Sequence, residues 1–93
     1  RAWHEGVKIH GCTVHFVPPQ LEHGPIITQA AVAVLPEDTE ASLAYRVLQQ
    51  EHRIFPQAVR WFMNDQVKVT GDVVQIAHAS VSQITLYSPG LAE

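Results

Sequence analysis

Residues 11–27 constrain the fold more than any other stretch, because they predict two strands joined by a short loop. The first run, about residues 10–17, is rich in β-branched and aromatic side chains, which strands favour. A Pro-Pro pair ends this run, since proline offers no N–H to a sheet ladder. A Gly-Pro pair then signals a turn, and strand-like composition resumes over about residues 25–35. A two-stranded ribbon is marginally stable in water, so this hairpin needs a larger sheet to extend or cover it.

The first predicted strand has two different faces, because successive side chains in a strand point to opposite sides. One face carries Cys12, Val14 and Phe16, and the other carries Thr13, His15 and Val17. His15 is either a packed, hydrogen-bonded histidine or a residue that faces an active-site cleft, and the sequence leaves both open. In the second strand, weak alternation predicts a bulge or bend near residues 30–31.

Residues 40–64 predict one long amphipathic helix. Either Asp38 or Thr39 can cap its first free N–H groups, and the acidic residues around them suit the positive end of the helix dipole. Apolar side chains then recur at spacings of three and four, or multiples of them, and form one stripe. The stripe consists of Leu43, Val47, Ile54, Ala58 and Phe62. Pro56 interrupts this pattern, so we expect a kink near residues 52–55 or two helices broken there.

The chain beyond the helix predicts a small terminal β element. Residues 66–70 and 72–77 favour two short strands, with a Gly-Asp pair as the hairpin turn. Residues 81–87 have the composition of a last strand. We therefore divide the chain into residues 1–77, the end of an α/β domain, and residues 78–93, a C-terminal extension.

Length and composition indicate a single domain and argue against nucleic-acid binding, a membrane span and an intrachain disulfide. The 93 residues allow at most one domain, and a chain of this size buries only about two-thirds of its unfolded surface. The six Lys and Arg residues are scattered and the net charge is −3, which argues against a nucleic-acid partner. No apolar run approaches ~18 residues, so no membrane span is expected. The single cysteine excludes an intrachain disulfide and suits a reducing cytoplasm.

The first residues predict the last turn of a helix. Residues 1–5 have that character, and Gly6 supplies the glycine that commonly closes a helix. No methionine precedes them. Together with the hairpin that needs cover, this leads us to expect that the chain is part of a larger fold.

The spacing of the histidines and carboxylates does not match a known metal-binding or catalytic motif. His10 and His15 point to opposite faces of a strand, and the helix carries no His-x₃-His pair, so no metal site is expected. No serine lies in a nucleophile-elbow motif, and no glycine-rich phosphate loop occurs. Glu22 stands at the tip of the loop between the first two strands, where it is either a solvated carboxylate or a functional one.

The loop and the helix together carry a family resemblance. The segments GCTVHFV at residues 11–17 and LEHGPII at residues 21–27 closely resemble glycinamide ribonucleotide formyltransferase, a folate-dependent enzyme of de novo purine biosynthesis. The segment RVLQQEHRIFP at residues 46–56 resembles the same family, in the same order. The resemblance covers roughly residues 3–70 and only the C-terminal part of that enzyme. It implies an α/β, Rossmann-like formyltransferase fold, of which this chain supplies a β-hairpin, a long helix and a small terminal β element.

The resemblance also implies a reaction and a role for Glu22. The full enzyme is expected to transfer a formyl group from 10-formyltetrahydrofolate to the amine of glycinamide ribonucleotide, without a metal. In the family this position is normally Asp, and its carboxylate pairs with a catalytic histidine that lies upstream of these residues. A nearby anion raises the pKa of that histidine, whose imidazolium can stabilise charge on the formyl oxygen. Glu is one methylene longer, which alters the geometry of such a pair.

Two binding segments follow from the same resemblance. The loop against the folate comprises Pro18, Pro19, Gln20, Leu21 and Glu22, which are expected to contribute mainly through backbone groups. The segment that holds the ribonucleotide comprises Leu48, Gln49, Gln50 and Glu51. Within it, the Glu51 carboxylate is expected near the substrate amine. The alternatives for Glu51 are a solvated helix face or an ion pair with Arg46 or Arg53.

Two other functions remain open on the sequence. Formyltetrahydrofolate deformylase, a related hydrolase, has a similar strand–loop–strand, although residues 46–56 favour the transferase. A non-catalytic folate-binding or dimerisation module is the second, because position 22 departs from Asp. The oligomeric state is also open, with a homodimer as one alternative. The 93 residues by themselves are expected to lack transferase activity.

Overall fold

A computed structural model of the chain describes residues 5–18 and 24–92. Its elements follow the chain in the order β1 (Ile9–His15), β2 (Ile26–Ala33), α1 (Glu40–Met63), β3 (Val67–Thr70) and β4 (Val73–Ile76). The four strands form one mixed sheet in the order β1-β2-β4-β3. The neighbours β1–β2 and β3–β4 are antiparallel, whereas β2 and β4 run parallel. This arrangement confirms the predicted hairpin, long helix and small terminal β element.

The β1–β2 hairpin has one irregularity, and it does not lie where the sequence placed it. The pairing shifts register between Val14, which lies opposite Thr28, and His15, which lies opposite Ile26. The bulge expected near residues 30–31 is therefore wrong. Pairing stays regular there because the residue opposite is Gly11, which has no side chain to strike the Ala30 carbonyl.

The long helix α1 begins at a capping box. The Ser42 backbone N–H donates to Thr39 Oγ1 at 3.1 Å, and the Thr39 N–H donates to Ser42 Oγ at 2.9 Å. Thr39 is therefore the N-cap, and this reciprocal pair satisfies two of the helix's unpaired N–H groups. The helix continues without a break through Pro56, so the two-helix alternative is wrong. Pro56 is exposed, and its missing hydrogen bond is tolerated within an otherwise continuous ladder.

The core lies between α1 and the β1–β2 hairpin. Leu43 and Ala58 are the buried hydrophobic residues of the described part of the chain. Beneath the helix, β1 alternates as expected. The half-buried side chains are Cys12, Val14 and Phe16, and the exposed ones are Thr13, His15 and Val17. The helix therefore covers the first of these two faces.

A second apolar surface of α1 stays open to solvent in the described structure. We call it the uncovered stripe, and it comprises Tyr45, Leu48, Phe55, Val59 and Phe62. Each of these side chains is between 43% and 62% exposed. They follow helical spacings along one side of α1, next to the side that packs on the hairpin. An apolar surface of this kind is typical of a contact face rather than of a solvated one.

The C-terminal part of the chain divides into a folded hairpin and an extended segment. Gly71, with φ of 62°, and Asp72 join β3 to β4, which confirms the predicted Gly-Asp turn. Residues 81–87 form no strand, so that prediction is wrong. Val81 and Ile84 are 90% and 87% exposed, and strand composition without a pairing partner does not make a strand. The division at residues 77 and 78 stays a prediction.

Gly6 near the start of the chain has a φ of 73°, the left-handed conformation that glycine adopts where a helix ends. Among the helices of the described residues, none has the length and apolarity that a membrane crossing requires.

Candidate functional site

Most of the proposed folate loop lies outside the described residues. Pro19, Gln20, Leu21 and Glu22 belong to residues 19–23, of which the structure gives no description. Pro18 is the one member that it places, half-buried and three residues after the end of β1. The residues on either side of the loop, up to Pro18 and from Gly24 onward, are described.

The base of the loop is closed by backbone contacts. The Phe16 N–H donates to the Pro25 carbonyl at 3.0 Å, so the chain enters and leaves the loop side by side. Gly24 is buried against this pair, and a Cβ at that position would overlap the Phe16 carbonyl oxygen. The sequence marked Gly24 as a turn residue, but its lack of a side chain serves close packing at the loop base.

Replacing Gly24 should therefore damage the loop base. Because the atom that blocks a new Cβ belongs to the backbone, Gly24→Ala must displace a strand, at a cost of about 1–3 kcal/mol. Gly90→Ala is the matched control, because a Cβ there meets nothing within 4 Å. We expect thermal unfolding of the full-length gene product to show a lower midpoint for Gly24→Ala alone. Equal midpoints for the two variants would show that the loop base is not packed as described.

An aromatic contact ties the loop base to the helix. The rings of Phe16 and Phe62 meet edge to face, with centroids 6.3 Å apart and an interplanar angle of 66°. This is a favourable geometry for an aromatic pair. Because Phe16 also closes the loop and Phe62 lies in the last turn of α1, this contact joins the loop base to the C-terminal end of the helix.

The four residues proposed for ribonucleotide binding do not share one face of α1. Consecutive helical residues are about 100° apart, so four of them surround the axis. Gln50 is half-buried on the hairpin side, and Gln49 falls on the polar side shared with Arg46 and Arg53. Leu48 and Glu51, three residues apart, project together from the side of the uncovered stripe.

Glu51 lies beside β1, on the same side of α1 as the loop base. Burial raises the pKa of the Cys12 thiol, and the negative charge of Glu51, which lies close enough to act on it, raises that pKa further. Phe62 follows Glu51 by three helical turns, which puts the two on one face about 16 Å apart along the axis. β1 forms an edge of the described sheet. Glu51 and the loop base thus lie along the same side of α1, next to β1, the edge strand of the described sheet.

His15 lies on the opposite face of the hairpin from Glu51. Its side chain is exposed and alternates away from the helix, and its Nδ1–H donates to the Phe16 carbonyl at 2.8 Å. The hydrogen bond that the first interpretation expected is present, but the side chain is exposed and not packed. That His15 faces an active-site cleft stays a prediction.

A partly buried ion pair at the start of α1 was not expected from the sequence. Arg46 donates from both terminal nitrogens to Asp38, at 2.5 Å and 2.7 Å. Asp38 also accepts from Ser42 Oγ at 2.6 Å and from the Leu35 N–H at 2.8 Å. The alternative in which Glu51 pairs with Arg46 does not describe the structure, because Arg46 turns back toward the helix start. These bonds, led by Arg46, hold the pKa of Asp38 far below its usual range.

This lowered pKa predicts a loss of stability in acid. The unfolded chain takes up a proton on Asp38 at a higher pH than the folded chain, so acid favours unfolding. The stabilisation is complete above the ordinary aspartate pKa of 3.8 and declines as the pH falls below it. We expect Asp38→Asn to lower the thermal midpoint of the full-length gene product at pH 7, because the amide cannot replace the charged partner of Arg46. The difference in thermal midpoint between wild type and Asp38→Asn should shrink below pH 4. A difference that stays the same at every pH would contradict a stabilising role for the Asp38 charge.

No metal centre is visible in the part of the chain that the structure describes. There, no three His, Cys, Asp or Glu side chains come together in a group that could hold an ion. The chemistry available at the open edge of β1 consists of a carboxylate, backbone groups at the loop base and apolar side chains.

Comparisons with known proteins place the chain in a family. The model of the formyl transferase family matches residues 1–59. Phosphoribosylglycinamide formyltransferase of Escherichia coli is 41% identical over 69 residues, a match that covers 74% of this chain and 32% of that protein. The chain therefore spans about a third of the length of this relative.

Solved structures agree in fold. The crystal structure of phosphoribosylglycinamide formyltransferase from Anaplasma phagocytophilum aligns with a TM-score of 0.80 at 46% identity, covering 86% of this chain and 40% of that one. A formyltetrahydrofolate deformylase from Pseudomonas syringae pv. tomato aligns with a TM-score of 0.76 at 29% identity, covering 81% and 25%.

Proposed function

This chain belongs to the formyl transferase family, and from that membership we propose that the protein transfers a formyl group from 10-formyltetrahydrofolate to the amine of glycinamide ribonucleotide. The relatives named phosphoribosylglycinamide formyltransferase support the ribonucleotide as acceptor. One structural observation carries the proposal furthest. Glu51 and the base of the loop that contains Glu22 lie on one side of α1, at the open edge of β1.

We assign the two carboxylates different tasks. Glu51 accepts a hydrogen bond from the substrate amine and so orients its lone pair toward the formyl carbon. Glu22 stands beside a histidine supplied by the rest of the domain and keeps it protonated, so that the imidazolium stabilises the oxyanion of the tetrahedral intermediate. The C–N bond to the ribonucleotide amine forms and the amine gives up one proton. The bond between the formyl carbon and the folate nitrogen breaks, and that nitrogen takes up one proton, so the overall reaction releases none. The folate is held by backbone groups of residues 18–22.

The uncovered stripe and the edge of β1 support the view that this chain supplies one part of a formyltransferase domain. The stripe is apolar and exposed, and the edge strand presents unpaired N–H and C=O groups to any neighbouring strand. The remaining two-thirds of the family fold would cover both. We therefore expect these 93 residues alone to show no turnover.

Cellular setting and partners follow from the same proposal. The substrates are small molecules, and the single cysteine fits a cytoplasmic protein. Neither a nucleic acid nor a membrane is proposed as a partner, and a homodimer stays an open expectation.

Deformylation is the second candidate function, because a formyltetrahydrofolate deformylase shares this fold at 29% identity. In that reaction water takes the place of the amine as the nucleophile. Glu51 would then have no amine to orient, and the match of residues 46–56 to the transferases would be unexplained.

The proposal is tested by assaying two samples for loss of the formyl donor, with and without glycinamide ribonucleotide. The samples are the 93-residue chain and the full-length product of the gene that encodes it. We expect turnover in the full-length product alone, and only when the ribonucleotide is present. Turnover at the same rate with and without the ribonucleotide would favour the deformylase. Folate binding without turnover would favour a non-catalytic module.

A further inference from the structure

We propose that the Asp38–Arg46 ion pair is a positioning device that fixes the rotation of α1 and thereby places the Glu51 carboxylate for the ribonucleotide amine. The inference rests on the function proposed above and adds two residues to it. Neither touches the candidate site, so their effect must pass through the helix.

The ion pair joins the helix to the hairpin and not merely to its own N-terminus. Besides its two bonds to Asp38, Arg46 donates from Nη2 to the carbonyl of Ala33, the last residue of β2, at 2.5 Å. One guanidinium thus spans the loop before α1, the helix and the end of the strand. The planar guanidinium donates hydrogen bonds only in fixed directions, so these bonds restrict how far the helix can rotate about its axis.

The other contacts of α1 restrict rotation less. The buried hydrophobic side chains of the described residues are Leu43 and Ala58, and apolar burial is not directional. The capping box between Thr39 and Ser42 lies within the first turn and does not reach the sheet. The edge-to-face pair of Phe16 and Phe62 acts at the far end of the helix.

Geometry links Arg46 to Glu51 on the same rigid element. The two residues are five apart, which is about 140° around the axis and about 7.5 Å along it. They therefore flank opposite sides of the face that packs on the hairpin. A rotation of about 10° moves a side-chain group at a radius of roughly 6 Å by about 1 Å. Misplacement of a positioning group by about 1 Å can cost about 100-fold in rate.

The test uses Arg46→Lys in the full-length gene product. Lysine keeps the positive charge but loses the fork, so α1 should gain rotational freedom without leaving Asp38 unpaired. We expect KM for glycinamide ribonucleotide to rise roughly 10-fold while KM for the formyl donor stays within about two-fold. Arg60→Lys is the control, because Arg60 is exposed and bonds only to Gln57 of the same helix among the contacts that the structure gives.

A double-mutant cycle separates positioning from simple stabilisation. If Arg46 acts through Glu51, Arg46→Lys should have no further effect on the ribonucleotide KM in a Glu51→Gln background. Asp38→Asn, which keeps the side-chain size, serves in the same cycle if Arg46→Lys yields no folded protein. Additive effects, or a lower unfolding midpoint with both KM values unchanged, would overturn the positioning role.

The two proposals fail in different ways. Wild-type protein that shows no ribonucleotide-dependent turnover contradicts the proposed function itself. If turnover depends on the ribonucleotide but Arg46→Lys leaves the KM for the ribonucleotide unchanged, the positioning role is contradicted and the proposed function is not.

Discussion

Glu22→Gln should lower ribonucleotide-dependent kcat of the full-length gene product by roughly 100- to 1,000-fold. The amide has nearly the same shape but no charge, so the histidine that we propose as the partner of Glu22 would lose the anion that favours its protonated form. Fewer enzyme molecules then carry the imidazolium that stabilises the oxyanion, and loss of one such group typically costs about this much. The measurement is steady-state kinetics across pH, in which the pKa of the limb assigned to the histidine should also fall.

Two companion variants make this result specific. Glu22→Asp restores the residue that the family normally carries and should keep at least about a tenth of wild-type kcat, because the charge is retained. Glu37→Gln removes an exposed carboxylate from the loop before α1 and should change nothing. Wild-type kinetics in Glu22→Gln would remove this residue from the reaction.

Glu51→Gln should raise KM for glycinamide ribonucleotide and reduce kcat/KM for it by roughly 100-fold. In the proposed function the Glu51 carboxylate accepts a charge-assisted hydrogen bond from the substrate amine. A glutamine amide would make a weaker bond and could also present its NH₂ to the nucleophile. KM for the formyl donor should change little, because the loop base lies about three helical turns away. Initial rates measured with each substrate varied in turn separate the two constants.

The control for Glu51 lies on the same helix. Arg53→Gln changes an exposed charged residue on the polar side of α1, away from the uncovered stripe, and should leave both KM values within about two-fold. An equal rise in KM for both substrates in Glu51→Gln would indicate a general distortion of the site. An unchanged ribonucleotide KM would mean that Glu51 is one more solvated residue of the helix.

The strands, the long helix and the Gly71 turn could be predicted because each leaves a pattern among residues that are close together in the sequence. Alternation along β1 and the three-and-four spacing of α1 each reflect one element packing on its neighbour, and both patterns are visible in the order of residues. The Gly71 turn likewise needs only a positive φ that glycine supplies. The missed strand at residues 81–87 shows the limit, because its composition is right but no neighbour pairs with it.

The features missed at the site depend on contacts between distant residues. The Asp38–Arg46–Ala33 bonds join three elements, and nothing in the spacing of an acid and a base eight residues apart identifies them. The role of Gly24 also depends on where the Phe16 carbonyl lies across the hairpin. Conversely, Leu48 to Glu51 were assigned as a block from a motif, and only the helix shows that Glu51 and Gln49 point to different sides.

The fate of the formyl carbon is the measurement that tests the proposed function most directly. The full-length gene product would be given 10-formyltetrahydrofolate labelled with ¹³C at the formyl carbon, together with glycinamide ribonucleotide, and the products identified by NMR and mass spectrometry. We predict that the label appears on the amine of the ribonucleotide and that the label stays on the folate when the ribonucleotide is omitted. Label recovered as free formate in both reactions, or label that never leaves the folate, would contradict the assignment of this chain to a glycinamide ribonucleotide formyltransferase.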